Sequence, residues 1–449
     1  MKKKRLSFRQ KLLVAGTLFG MFFGAGNLIF PVHLGQLAGR NIIPAMFGFI
    51  ITAVGLPILG VAAIGNTHSE GLQSLAAKVG KRYSYAFTCL LYLTIGPFFA
   101  IPRCATTSFT AGILPMLGDF GSETLALFIF SLVFFACVLF FSLRPANITV
   151  WIGKIINPIF LLFLAVLVIA ALMNPGTAVF SVEPDPSYQS HVLYSAIIEG
   201  YGTMDAIAGL AFGIVVIDIV RRMGIQEDSD VSGQVLQSGI MTGVLMALIY
   251  ALMILMGAQS RGLFELSENG GIALAQISRY YLGGAGSIVL AVTITFACLK
   301  TSIGLVTSCS ETFLRMFPKT CSYKTWAFLF TTFSFCISNV GLSAIINYSL
   351  PVLMLLYPLS ITLILMALFG KLFHHDKHVY VSVTAFTFIA AVFDFLKALP
   401  ESLQIRFHLG NTLKLAEKTL PWFHLNLGWV APAAVGLIFG LLLCHRKRA

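Results

Sequence analysis

The run Phe22-Phe23-Gly24-Ala25-Gly26-Asn27-Leu28-Ile29-Phe30-Pro31 lies inside an apolar stretch long enough to cross a bilayer, yet it carries two glycines, an asparagine and a proline. Hydrocarbon offers a peptide group no hydrogen-bond partner. A helix is interrupted there only where protein or a cavity satisfies the freed backbone. An interruption near the membrane midplane points to a solute-binding site of the kind transporters build. The same residues also suit a close helix crossing at glycine, or a proline kink. The rest of the chain has to decide between these readings.

That remainder is strongly apolar. Of 449 residues, 57% are hydrophobic and 11% charged, with mean hydropathy +0.87, whereas a soluble domain carries about 25% charged residues. Apolar runs of roughly 20 residues mark membrane helices. Twelve spans are predicted, at 12–32, 42–65, 85–113, 124–143, 150–173, 191–220, 235–257, 285–314, 325–340, 344–369, 378–396 and 426–444. The fold class is an all-α integral membrane protein in contact with membrane lipid. Lys2-Lys3-Lys4-Arg5 imitates the start of a signal peptide, but the apolar run behind it is too long and more spans follow.

A net charge of +12 raises the question of nucleic acid. The basic residues instead follow membrane topology. With the N-terminus inside, 21 of the 30 lysines and arginines fall in inner segments and seven in outer ones, leaving Arg103 and Lys300 within spans. Lys and Arg concentrate in cytoplasmic loops, so both termini are expected in the cytoplasm and no nucleic-acid partner is expected. The eight cysteines form no CxxC pair and read as buried thiols rather than a metal or disulfide framework. His374-His375-Asp376-Lys377-His378 reads as a short basic turn rather than a metal site. In the long outer connection 258–284, Ile272–Tyr281 reads as a helix, either a lid over an outer vestibule or ordinary loop structure. The segment 397–424 reads as an interfacial helix, and Asp394, beside Lys397, is expected at the interface.

An internal repeat is visible. Span 1 has its break, and span 6 has one at Gly200-Tyr201-Gly202-Thr203-Met204-Asp205. Arg103 and Lys300 fall in spans 3 and 8, and Asn157-Pro158-Ile159-Phe160 in span 5 is similar to Leu350-Pro351-Val352-Leu353 in span 10. Pairings 1/6, 3/8 and 5/10 describe two five-helix repeats. Five is odd, so the second repeat crosses the membrane inverted. The chain then divides into repeat 1 (12–173), repeat 2 (191–369) and two extra spans (378–444), within one transmembrane domain.

Broken helices expose two kinds of ligand. The start of a half-helix offers free N–H groups suited to a carboxylate, while unwound carbonyls suit a cation. Gly24, Ala25, Gly26 and Asn27 supply the first kind; Tyr201, Gly202 and Thr203 supply the second, with Asp205 beside them. Together they fit a zwitterion, and the surrounding Phe, Leu and Ile favour an apolar side chain. Thr301 and Ser302 in span 8, with the span 1 carbonyls of Phe22 and Phe23, could cage a sodium ion; membrane Ser and Thr also commonly bond their own helix backbone. A lysine in mid-span is costly. Lys300 is therefore a candidate substitute for the coupling cation, a proton carrier, or a partner of Asp205 or Glu311. Arg103 is read as a gating or structural ion pair with Glu199, Asp205 or Asp218.

These runs are similar to those of a known family. Phe22–Pro31, Tyr92–Arg103 (YLTIGPFFAIPR), Glu199–Val216 (EGYGTMDAIAGLAFGIVV) and Pro351–Leu359 (PVLMLLYPL) resemble the bacterial branched-chain amino acid:cation symporters (LIVCS, BrnQ-type), over nearly the whole chain. The resemblance implies a LeuT-like inverted-repeat core with discontinuous helices 1 and 6, in a bacterial cytoplasmic (inner) membrane. It implies uptake of leucine, isoleucine or valine with Na+ or H+ as coupling cation and no cofactor. It places Gly24–Asn27 and Gly202–Asp205 at the substrate and Thr301 and Ser302 at sodium. Lys300 departs from the family, which tends to carry a small hydroxyl residue there; a cation-independent exchanger or exporter is the alternative this opens. A membrane enzyme finds no support in HExxH, GxSxG or P-loop motifs, and a sensor would usually bring a soluble signalling domain. Oligomeric state is not legible.

Overall fold

The computed structural model describes residues 6–67, 69, 71–117, 122–143, 157–225 and 227–446. Lys2–Arg5, Arg144, Lys154, Lys447 and Arg448 of the charge pattern, and positions 150–156 of predicted span 5, lie outside the described residues.

A helix or a broken pair of helices underlies each of the twelve predicted spans. Span 1 is split into α1 (Phe8–Phe22) and α2 (Ala25–Ala38). Span 2 runs as α3 (Ile42–Ile50) and α4 (Leu56–Asn66), joined by the π-helical turn Ile51–Gly55. After the short α5 (Leu72–Ala76), span 3 is α6 (Lys81–Leu93) and α7 (Ala100–Ser108), separated by a π-helical turn with a break at Gly96. Spans 4 and 5 are α8 (Glu123–Ser142) and α9 (Asn157–Met173). Span 6 is α10 (Val192–Tyr201) and α11 (Asp205–Arg222), bent by 46°. Spans 7 to 10 are α12 (Asp228–Ser260), α13 (Gly270–Met316), α14 (Tyr323–Ser338) and α15 (Leu342–Phe369). Span 11 is α16 (Lys377–Ala398); α17 (Glu401–Arg406) and α18 (Gly410–Thr419) precede span 12, α19 (Val430–Arg446).

Among the described residues, seven helices are each long and apolar enough to cross a membrane, and the bent α10–α11 pair makes an eighth crossing. Burial separates centre from perimeter. In the most apolar window of Leu342–Phe373, 72% of residues are buried, against 28% in that of α8. Leu125, Phe128, Ile129, Leu132 and Val133 of α8 stand exposed, as lipid-facing residues do.

The centre is held by glycine contacts. Gly35 of α2 abuts the backbone at Ile254 of α12, Gly257 of α12 abuts Val32 of α2, and Gly270 of α13 abuts Ile29. Side chains there would drive the backbones apart, so small residues at these crossings set the depth of packing, as is usual between membrane helices.

Two expectations change. Ile272–Tyr281 is the first arm of α13, which turns at Gly283 with φ 63° and ψ −156° and runs on into span 8; positive φ is readily reached by glycine. The interfacial segment is two short helices rather than one. Asp394 lies one turn from the end of α16 and is buried. It is 1% exposed beneath Gly428, and neither carboxylate oxygen has a hydrogen-bond partner among the described residues. Lys397 donates instead to the carbonyls of Phe423 at 2.8 Å and His424 at 3.1 Å.

Gly257→Ala should cost about 1–3 kcal/mol through overpacking, visible as a lower melting temperature in detergent. Gly16→Ala, with nothing within 4 Å of the added carbon, should leave it unchanged. Equal melting temperatures would contradict the crossing.

Candidate substrate site

The two helix breaks face each other. In span 1 the chain leaves helical geometry at Phe23 and Gly24, and α2 begins at Ala25. Asn27 closes that start: its Oδ1 accepts from the Gly24 N–H at 2.9 Å. Its Nδ2 donates to Asp205 Oδ2 at 2.5 Å and to the Tyr250 hydroxyl. Tyr250 in turn donates to Asp205 Oδ2 at 3.2 Å. One asparagine thus ties the start of α2 to the start of α11 and to α12.

The span 6 break is a tight reversal. Met204 adopts φ 65°, uncommon for a residue other than glycine, and this ends one half-helix and starts the next. The Tyr201 carbonyl accepts from the Met204 N–H at 3.0 Å, and the Thr203 hydroxyl donates to the Gly200 carbonyl at 3.0 Å. The carbonyls of Gly202 and Thr203 accept from Arg103, at 2.5 Å from Nη1 and 3.3 Å from Nη2. The guanidinium also lies over the Phe30 ring, 5.3 Å from its centroid.

This geometry corrects the reading of Arg103. Its hydrogen bonds go to backbone carbonyls, Asp205 is a charged neighbour rather than a hydrogen-bond partner, and no ion pair joins it to Glu199 among the described residues. Asp218 lies 13 residues beyond Asp205 on α11, about 20 Å along the helix, and cannot reach Arg103. Glu199 lines a separate cavity of about 900 Å³ with Phe30, His33, Tyr188, Gly202 and Glu268. Ser187, Pro400 and Asn426, from the connections predicted to be outer, also line it. At the breaks, Gly24–Asn27, Phe22, Arg103, Thr203, Asp205 and Thr301 enclose only about 30 Å³. That is room for a water or two, not an amino acid. The ring of Phe30 lies against Gly202 and borders the large cavity, so the site is closed beneath a vestibule.

On α13, Thr301 meets Gly24, where an added carbon would sit 3.2 Å from its Oγ1. Ser302 is fully buried and its Oγ has no partner among the described residues. Of the four residues expected at a small cation, the structure brings Thr301 and Phe22 together at the pocket between the breaks, at the end of α1 whose last carbonyls lack helical partners, whereas Ser302 and Phe23 do not line it. Lys300 lies elsewhere on the helix. It is about 100° and 200° around from Thr301 and Ser302, on the stripe of the exposed Phe296 and Gly304, and it does not line the pocket at the breaks.

The sequence reading missed Tyr250 and Phe30. Tyr250 carried a signal, a hydroxyl in mid-span that needs a partner. Phe30 carried none beyond its place near the break.

The sequence matches, over residues 7–447, the family described as branched-chain amino acid transport protein. The chain belongs to that family. It is 51% identical over 451 residues to the branched-chain amino acid permease BrnQ of Lactobacillus delbrueckii subsp. lactis, covering 100% of both chains. It is 34% identical to BrnQ of Escherichia coli K12, covering 98% of this chain and 96% of that one. Among solved structures, the nucleobase-cation-symport-1 transporter Mhp1, closed with bromovinylhydantoin bound, aligns with TM-score 0.63 at 14% identity over 97% of this chain and 92% of that one. MhsT in complex with L-phenylalanine aligns with TM-score 0.51 at 16% identity, over 99% of each. The fold is therefore LeuT-like, and the family member is a multi-pass amino acid transport protein, not an enzyme.

Asn27→Ala removes the tie between the breaks and leaves buried groups unpaired, at about 1–3 kcal/mol each. Amino acid uptake per folded protein in membrane vesicles should fall at least tenfold, and several-fold less in Tyr250→Phe. Native uptake in Asn27→Ala would count against the tie.

Proposed function

We propose that the protein imports leucine, isoleucine and valine across a bacterial cytoplasmic membrane by alternating access, with sodium moving alongside. The observation that carries the reading is the meeting of the two breaks through Asn27 and Asp205. It brings the N–H groups at the start of α2 opposite the carbonyls of Gly202 and Thr203. The first set answers a carboxylate and the second an amine. The relatives named as branched-chain amino acid permeases, and the apolar surroundings of Met21, Phe22, Ile95, Phe212 and Leu305, favour an aliphatic side chain.

Sodium is favoured over a proton by the Thr301 hydroxyl set against Gly24 at the end of α1, with the unpartnered Ser302 hydroxyl next to it in sequence. A cation there would draw α13 and α1 together and so stabilise the closed site; it shifts the conformational balance only as far as it binds the closed form more tightly. The excess of basic residues in inner segments supports cytoplasmic termini. The placement of Lys300 on another flank of α13 argues against its ammonium filling the cation site.

The test is radiolabelled leucine uptake into proteoliposomes under sodium and proton gradients imposed separately. Sodium-driven accumulation, inhibited by isoleucine and valine but not by glutamate, is expected. Ser302→Ala should raise the sodium concentration for half-maximal uptake about tenfold, about 1.4 kcal/mol of cation binding. Uptake driven equally well by protons without sodium would remove the sodium assignment. No uptake of any branched-chain amino acid would remove the substrate class.

A further inference from the structure

Arg103 is a cation lodged on the carbonyls that the proposed function assigns to the substrate amine. It is 2% exposed, and its two terminal nitrogens take the carbonyls of Gly202 and Thr203. Its Nε–H has no partner among the described residues, so the guanidinium is held by hydrogen bonds at its tip alone. Gly26 makes space for it, since an added carbon would lie 2.7 Å from Nη2. Phe30 covers one face. With the guanidinium in place, only about 30 Å³ remains between the breaks.

We propose that Arg103 is a tethered surrogate for the substrate amine, seated on the span 6 carbonyls while the carrier is unloaded and displaced when an amino acid binds. The inference rests on the amino acid reading of the site given above. An alternating-access carrier that takes up net solute must also reorient empty. To do so it must close around its own site and shut water out. Two carbonyls sealed in that way without donors are costly, and Arg103 supplies the donors through a planar fork. Asp205 also keeps a positive neighbour in both states, first the guanidinium and then the amine. Arg103 therefore assists the empty step, which net uptake requires and one-for-one exchange does not.

The experiment compares two leucine fluxes in proteoliposomes. One is net uptake into leucine-free vesicles; the other is tracer exchange with equal leucine on both sides. In Arg103→Gln the ratio of exchange to net flux should rise at least tenfold over native. In Arg103→Lys, which keeps a cation, it should rise less than threefold. Equal loss of both fluxes in folded Arg103→Gln, or an unchanged ratio, would overturn the proposal and leave Arg103 a structural pin. Should Arg103→Gln not fold, Phe30→Leu decides. It removes the ring beneath the guanidinium but leaves the charge, so a ratio raised at least twofold is expected and an unchanged ratio overturns the idea. If the native protein exchanges no leucine, the amino acid reading itself fails, and the surrogate role falls with it.

Discussion

A peptide group inside hydrocarbon must be answered by another polar group, and the centre of this protein is organised around two places where helices stop and that demand becomes acute. The answers are few and shared. Asn27 accepts from the Gly24 N–H and donates across to Asp205 and Tyr250. Arg103 takes the two carbonyls exposed at the other break. The interruptions therefore stabilise one another, and under the proposed function the same groups are those an amino acid would have to replace.

Beyond the breaks, α2, α12 and α13 approach closely at glycines 35, 257 and 270. The surrounding helices grade outward to the lipid-exposed face of α8. Phe30 joins the two scales, since its ring lies on Gly202 and beneath Arg103 while bordering the open vestibule.

Much of this was legible in the sequence, for physical reasons. Span positions follow from hydropathy runs, and the breaks show because Gly24, Gly26 and Asn27, or Gly200 and Gly202, have little reason to sit in a bilayer unless the backbone does something unusual. What the sequence hid was direction. Arg103 suggested a carboxylate partner because charges are visible in a sequence and carbonyls are not. Lys300 looked central because it adjoins Thr301 and Ser302, yet one residue is about 100° of helix and that rotation takes it off the face that meets Gly24. The burial of Asp394 did not show beside Lys397, because the group that covers it is Gly428, 34 residues away in sequence. Tyr250 needed knowledge of which helix α2 packs against.

The most direct test of the account is a structure of the protein with leucine bound. The account predicts the carboxylate on the N–H groups at the start of α2, the amine on the carbonyls of Gly202 and Thr203, and Arg103 withdrawn from them. Leucine bound only in the vestibule, with Asn27, Asp205 and Arg103 engaged as they are now, would contradict it.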